Sequence, residues 1–305
     1  MRQTLRGALA VAAILIVAGC QSGPTKSRHV SVADQLPRYS DGDTSLRYGE
    51  PPERPALVPG FAAAPPSYAG DVQALREPVT IGDELPSQTR HNYAIDVTIR
   101  QGDAIWPRWY SGRVVTHFKQ EGEKVAMTAT LADFQAVGPE DAAEMVRQLK
   151  GARVRLELDE RREVRSLVLE KGPLNGPEGQ KDQLQQVVSM MLEGFLKSVS
   201  GQYIRGTPIR QGDLVMDMAT AQRLTGGVFN LTRVYASGQT TYLGRPSLLA
   251  TVDMENLATG ARASGYNVID IETGFILAGA VSSAFQQIDG TVVESLDTFT
   301  VTEFR

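Results

Sequence analysis

The sequence predicts a mainly β fold with two helices, an α+β domain in which antiparallel strands carry the core. Three observations lead there. Runs alternating apolar and polar residues recur from residue 91 to the end. Short turns of Gly, Asp and Glu separate them, too short for the crossovers that parallel strands need. Only two stretches carry helical spacing instead.

Taken in order, Tyr93, Ile95, Val97 and Ile99 alternate with Ala94, Asp96, Thr98 and Arg100, the period of a half-buried strand. Trp106, Trp109 and Tyr110 then cluster around Pro107 and read as a loop: a partner-binding or sugar-stacking platform, or a plug for the core. Further strands are expected over Arg113–Lys119, Lys124–Asp133, Arg153–Leu158 and Glu163–Glu170. Between them a helix starts at Pro139, with Ala142, Met145, Val146 and Leu149 on one face and Gly151 past its end.

The longer helix is expected over residues 182–200. Leu184, Val187, Val188, Met191, Leu192, Phe195, Leu196 and Val199 form its apolar stripe, Asp182 could cap it, and Gly201 follows. After Tyr203 the strands resume: Leu214–Thr220, Val228–Tyr235, Thr240–Leu243, Leu248–Glu255, Ala263–Ile271, Phe275–Ser283 and Thr291–Phe304. Lys150-Gly151-Ala152-Arg153 and Thr259-Gly260-Ala261-Arg262 each lead into a strand, an acidic turn and a second strand. The expectation is a curved antiparallel sheet, or two related β halves (residues 89–175 and 203–305), joined and covered by the 182–200 helix. Two duplicated halves and two chance hairpins both fit the repeat, since Asp and Gly favour turns anyway.

The N-terminal region reads differently. Arg2 and Arg6 precede an apolar run from Ala8 to Ala18, a secretory signal in layout and too short to span a bilayer. Residues 20–88 hold ten of the sixteen prolines, with no sustained apolar period. Such a composition cannot bury enough surface to offset its ordering entropy, so a disordered, proline-rich tether is expected.

Val17-Ala18-Gly19-Cys20 resembles the lipobox of bacterial lipoproteins. The resemblance implies cleavage after residue 19 and a diacylglycerol on the Cys20 sulfur, usually with a third acyl chain on the new amino group. Two or three chains would hold the protein in a membrane essentially permanently. Gln21 stands where an Asp would resemble an inner-membrane retention signal, so the expected address is the periplasmic face of the outer membrane. In shape alone, the expected sheet and covering helix resemble the half-barrels of lipoprotein carriers and lipid-binding lipoproteins. That would make Val187, Met191 and Phe195 the lining of a cavity for acyl chains.

Catalytic signatures are sparse. The single cysteine is the lipidation candidate, which leaves no disulfide and no free thiol for chemistry. The three histidines, His29, His91 and His117, have neither the number nor the spacing for a metal centre, and no cofactor is expected. A formal net charge of −4 and the lack of a basic block argue against nucleic acid as a partner. Asp213 with Asp217, and Asp253 with Glu255, offer the one enzymatic opening, a pair of carboxylates acting on envelope glycan. The favoured expectation is a non-enzymatic, lipid-anchored envelope protein with a binding or scaffolding role. A lipid carrier comes second and a glycan hydrolase third.

Overall fold

The computed structural model describes residues 56–63, 71–82, 88–121, 124–136, 150–159, 164–171, 199, 203–217, 220–221, 229–287 and 289–304. They form twelve strands. The first, β1 (Val79–Thr80), pairs with β7 (Pro208–Ile209) in a two-stranded ribbon. The other ten are β2 (Gln88–Gln101), β3 (Ala104–Glu121), β4 (Lys124–Ala136), β5 (Arg153–Leu158), β6 (Val164–Lys171), β8 (Leu231–Tyr242), β9 (Arg245–Glu255), β10 (Arg262–Asp270), β11 (Ile276–Gln286) and β12 (Val292–Phe304).

These ten make one antiparallel sheet in the order β6-β5-β4-β3-β2-β12-β11-β10-β9-β8. Two five-strand meanders thus meet at the β2–β12 pair, where Ile95 lies opposite Phe299 and Val97 opposite Asp297. The mainly β, antiparallel class expected from the alternating runs holds. Both expected helices, at 139–149 and 182–200, lie outside the described residues except for Val199, which is helical and buried against the core.

The two meanders are buried differently. In β2, Tyr93, Ile95, Val97 and Ile99 form the core face, while Ala94, Asp96, Thr98 and Arg100 on the reverse face keep partial exposure. In β9, in β11 and at the end of β10, residues on both faces are buried. Leu248, Ala250 and Val252 on one face are matched by Val268, Ala278, Ala280 and Ser282 on the other. The reason is a coiled sheet. Tyr242 of β8 donates to the Val301 carbonyl of β12 at 3.1 Å, though four strand spacings would put those strands about 19 Å apart in a flat sheet. Phe275, just before β11, likewise reaches Phe118 of β3, with ring centroids 4.1 Å apart.

Several expectations are corrected. The Trp106–Tyr110 stretch is strand, not loop. Val97 pairs with Tyr110 and Ile99 with Trp106, so Pro107, Arg108 and Trp109 bulge opposite Thr98. A bulge suits this sequence, because Pro107 has no N–H for the ladder and Arg108 takes a positive φ of 54°. Leu214–Thr220 is not a strand: Leu214 makes one isolated bridge to Tyr235, and the Asp217 carboxylate accepts from the Thr220 amide at 2.8 Å, as a helix cap does. The expected pair Val228–Tyr235 and Thr240–Leu243 is one strand, β8, which runs through a bulge at Ser237.

Part of the expected tether also belongs to the folded body. Leu57 donates to the Gly260 carbonyl at 2.6 Å, Ser282 donates to the Phe61 carbonyl at 2.5 Å, and Arg100 sits over the Phe61 ring. Gly82 donates to the Ile271 carbonyl, and Ile81 is 0 % exposed. Such isolated attachments leave no period in the sequence, which is why composition alone missed them.

The repeated Gly-Ala-Arg motif marks one local device used twice. Gly151 and Gly260 both have positive φ, 81° and 72°. Gly151 donates to the Leu131 carbonyl and Leu131 to the Ala152 carbonyl; Gly260 and Asn256, then Asn256 and Ala261, repeat the pattern. In each case the following Arg opens a strand.

Candidate functional site

The core face of the first meander is filled by side chains of both meanders. His91, Tyr93 and Phe118 pack with Phe275, and His91 lies 5.3–5.8 Å from the other three rings. Tyr93 Oη donates to the Ile276 carbonyl at 2.8 Å. Burial pulls the His91 imidazole down to about pH 4 against the weaker upward pull of Asp270, so the ring is neutral at pH 7. Trp109 is 5 % exposed within this core, and Trp106 packs half-buried against it. Their rings supply packing here.

The reverse face of β2–β5 stays open and holds a concavity of about 420 Å³. Antiparallel register sets its floor from His117, Thr128 and Arg155, with Arg90 next in the row beyond the lining residues. Arg90 of β2 lies opposite His117 of β3, His117 opposite Thr128 of β4, and Thr128 opposite Arg155 of β5. Directly opposed residues point to the same face, so these four form one row across the sheet. Lys119 and Gln88 flank it on one side, Thr130 and Arg153 on the other. Partial burial lowers the His117 pKa, and the Arg90 and Arg153 charges push it the same way. Arg153 also pairs with Glu170 at 2.8 Å.

The sequence held a signal for this site. Two alternating pairs, His117-x-Lys119 and Arg153-x-Arg155, place four basic residues on one face of β3 and β5, on either side of β4. Which strands become neighbours was not legible, and without that the pairs read as ordinary solvated residues.

The carboxylates considered for hydrolysis each have a local structural partner. Asp213 Oδ2 accepts from the Arg210 amide at 2.8 Å, and Asp217 caps Thr220. Asp253 pairs with Arg233 at 2.5 Å and Glu255 with Arg262 at 3.1 Å. Cys20, His29, Val187, Met191 and Phe195 lie outside the described residues.

One further carboxyl stands apart. Asp297, on the core face of β12, lies opposite Val97 and Val281, and its Oδ1 is cut off from solvent with no hydrogen-bond partner. Burial raises its pKa well above the ordinary carboxylate range, against a weak opposing bond from Ser295 Oγ at 3.4 Å. A raised folded-state value makes stability greatest below the unfolded pKa of about 3.9 and lowers it as pH climbs towards the folded value. Asp297→Asn is therefore expected to gain about 1–3 kcal/mol over the parent near neutral pH and to match it near pH ~3.5. Thermal melts across that range check this; a pH-independent difference would contradict it.

No protein-family model matches the chain, and no curated protein matches it. Among solved structures it is similar to a DUF1329 family protein from Desulfovibrio piger at 10% identity, over 73% of this chain and 87% of that one. The TM-score of that superposition is 0.25, too low to carry an argument about fold or function.

Proposed function

We infer that the chain is a non-enzymatic, lipid-anchored envelope protein, held through acylated Cys20 on the periplasmic face of the outer membrane. Its β domain binds or scaffolds an envelope partner. The observation that carries this reading is the contrast between the two faces of the first meander. The core face is plugged by His91, Tyr93, Phe118 and Phe275, whereas the reverse face stays open and carries the basic concavity. A rigid sheet with one finished face and one open, polar face suits recognition at its surface. The lipobox supplies the anchor, and residues 56–63 and 71–82 attach to the same body that presents the concavity.

In vivo crosslinking from a photoreactive residue at Thr128 tests the binding role. Adducts with envelope components are expected, and they should disappear when the reactive residue is moved to the buried position Ala129. Absence of adducts at Thr128 in correctly localised protein would count against the reading. So would native mass spectrometry showing acyl lipid stoichiometrically enclosed in the domain, which would favour a carrier.

A further inference from the structure

We propose that the concavity lined by His117, Lys119, Thr128, Arg153 and Arg155, with Arg90 beside His117 at its edge, is an oxyanion site for a phosphate ester, of the size of a phosphoglycerol headgroup or a sugar phosphate. This deepens the binding reading above and rests on it.

Four observations point the same way. First, the row is basic although the chain as a whole is acidic. Around it Arg90, Lys119, Arg153, Arg155 and Lys171 outnumber Glu157 and Glu170, while the other acids of the face, Asp96, Glu294 and Glu303, lie towards β12 with Arg108, Arg100 and Asn92 as partners, against a net charge of −4 overall. Like charges side by side on adjacent strands repel, and a face shaped only for solubility would intersperse the signs. Second, Arg90 Nε is buried without a hydrogen-bond partner, an unmet donor beside His117. Third, the cations are interleaved with Thr128 and Thr130, whose hydroxyls can donate to phosphate oxygens while two guanidiniums offer planar forks. Fourth, about 420 Å³ falls within the range of small-ligand sites and exceeds what a bare ion needs.

His117 makes the site pH-dependent. The charged groups that face it are Arg90 from β2, Lys119 from β3, and Arg153, Arg155 and Glu157 from β5. Glu170 and Lys171 on β6 lie beyond Arg153, and on β4 Lys124 precedes Ala126, Thr128 and Thr130 in the same alternation. Partial burial, with the Arg90 and Arg153 charges acting in the same direction, lowers the pKa of the ring. A bound phosphate reverses that balance and favours the imidazolium, so binding strengthens as pH falls.

The test uses the mature chain carrying Cys20→Ser, so that no acyl chain binds vesicles by itself. Glycerol 1-phosphate is titrated while the His117 ring is followed by NMR. The same protein is sedimented with vesicles of phosphatidylglycerol or of phosphatidylcholine. Expected results are an upward shift of the His117 pKa on adding glycerol 1-phosphate, and binding about tenfold tighter near pH ~5.5 than near pH ~8. Arg155→Gln and Thr128→Glu should each weaken it about tenfold or more. Response to the soluble ester identifies a free phosphate group as sufficient. A response to phosphatidylglycerol vesicles alone, lost in Thr128→Glu, identifies a headgroup displayed on a membrane. Circular dichroism melts establish that both variants are folded, and Arg113→Gln on the same face is the folded control expected to bind as the parent. No shift with either probe, or equal binding by parent and Thr128→Glu, overturns the proposal. Neither result touches the crosslinking test, so failure of the ligand class and failure of the binding role are separable.

Discussion

Replacing Asp270 by Ala is expected to destabilise the domain by about 3–5 kcal/mol, the largest loss among single side-chain truncations considered. Asp270 is 0 % exposed and ends β10. Its Oδ2 accepts from Arg245 Nε at 3.1 Å, Arg245 Nη2 at 2.8 Å and Thr273 Oγ1 at 2.5 Å. The same residue closes the β10–β11 turn through its backbone, donating to the Phe275 carbonyl and accepting from the Gly274 amide, each at 2.8 Å. Because Arg245 opens β9, this one carboxylate fastens two hairpin ends together. Truncation would leave a partly buried guanidinium without its main partner and would free Phe275 from the His91–Phe118 cluster. Glu272 provides the contrast. It also touches Arg245, at 2.6 Å, but its side chain is 75 % exposed, so Glu272→Gln should cost under about 1 kcal/mol. Urea unfolding of the two variants checks both values. Equal costs would mean that the network does not hold the hairpins together.

The second large effect is an acid sensitivity centred on His91. The ring is 0 % exposed, pulled down to about pH 4 by burial, and set between Tyr93, Phe118 and Phe275. Unfolding would return it to its ordinary value of about 6.5. A depressed folded-state value means the neutral form is favoured, so this contribution is complete above pH ~6.5. It is then lost progressively as pH falls to about 4. Two and a half units correspond to about 3 kcal/mol. His91→Phe keeps an aromatic ring in the cluster and removes the titration, at a cost of about 1 kcal/mol near neutral pH. Denaturation at several values between pH ~7 and ~4 should show the parent losing about 3 kcal/mol more than the variant. Parallel losses would show that His91 does not set the slope.

Where the fold could be read ahead of the structure, one physical signal did the reading. Strands with one buried face, such as Tyr93–Ile99 and Arg153–Leu158, alternate cleanly, and the sheet treats them as expected. In β11 both faces are buried, so Ile276–Ala280 carries no polar alternation, and its place came from turn residues instead. The failures have equally local causes. Pro107 reads as a strand breaker because the bulge that accommodates it depends on a partner strand. Asp217 sits in an apolar stretch that alternates, yet its cap to Thr220 takes over the backbone there. Gly238 splits one strand into two on paper, while Ser237 bulges and the ladder continues.

Long-range order was the least legible part. Pairing of β12 with β2, the step that fuses the two meanders, joins segments about 200 residues apart. Nothing in either strand names the other. The concavity inherits that limit, since Arg90, His117, Thr128 and Arg155 become a row only through three strand registers. The proposed anchor involves no such step: Val17-Ala18-Gly19-Cys20 is contiguous, and its position at the end of a short apolar run is the whole signal.

The most direct measurement is membrane partition of the full-length protein and its Cys20→Ser variant in cells fed a labelled fatty acid. The parent should carry the label, resist extraction by salt and alkali, and sediment with outer-membrane markers, whereas the variant should be unlabelled and recovered in the soluble periplasmic fraction. An unlabelled parent, or a variant held in the membrane as firmly as the parent, would contradict the account.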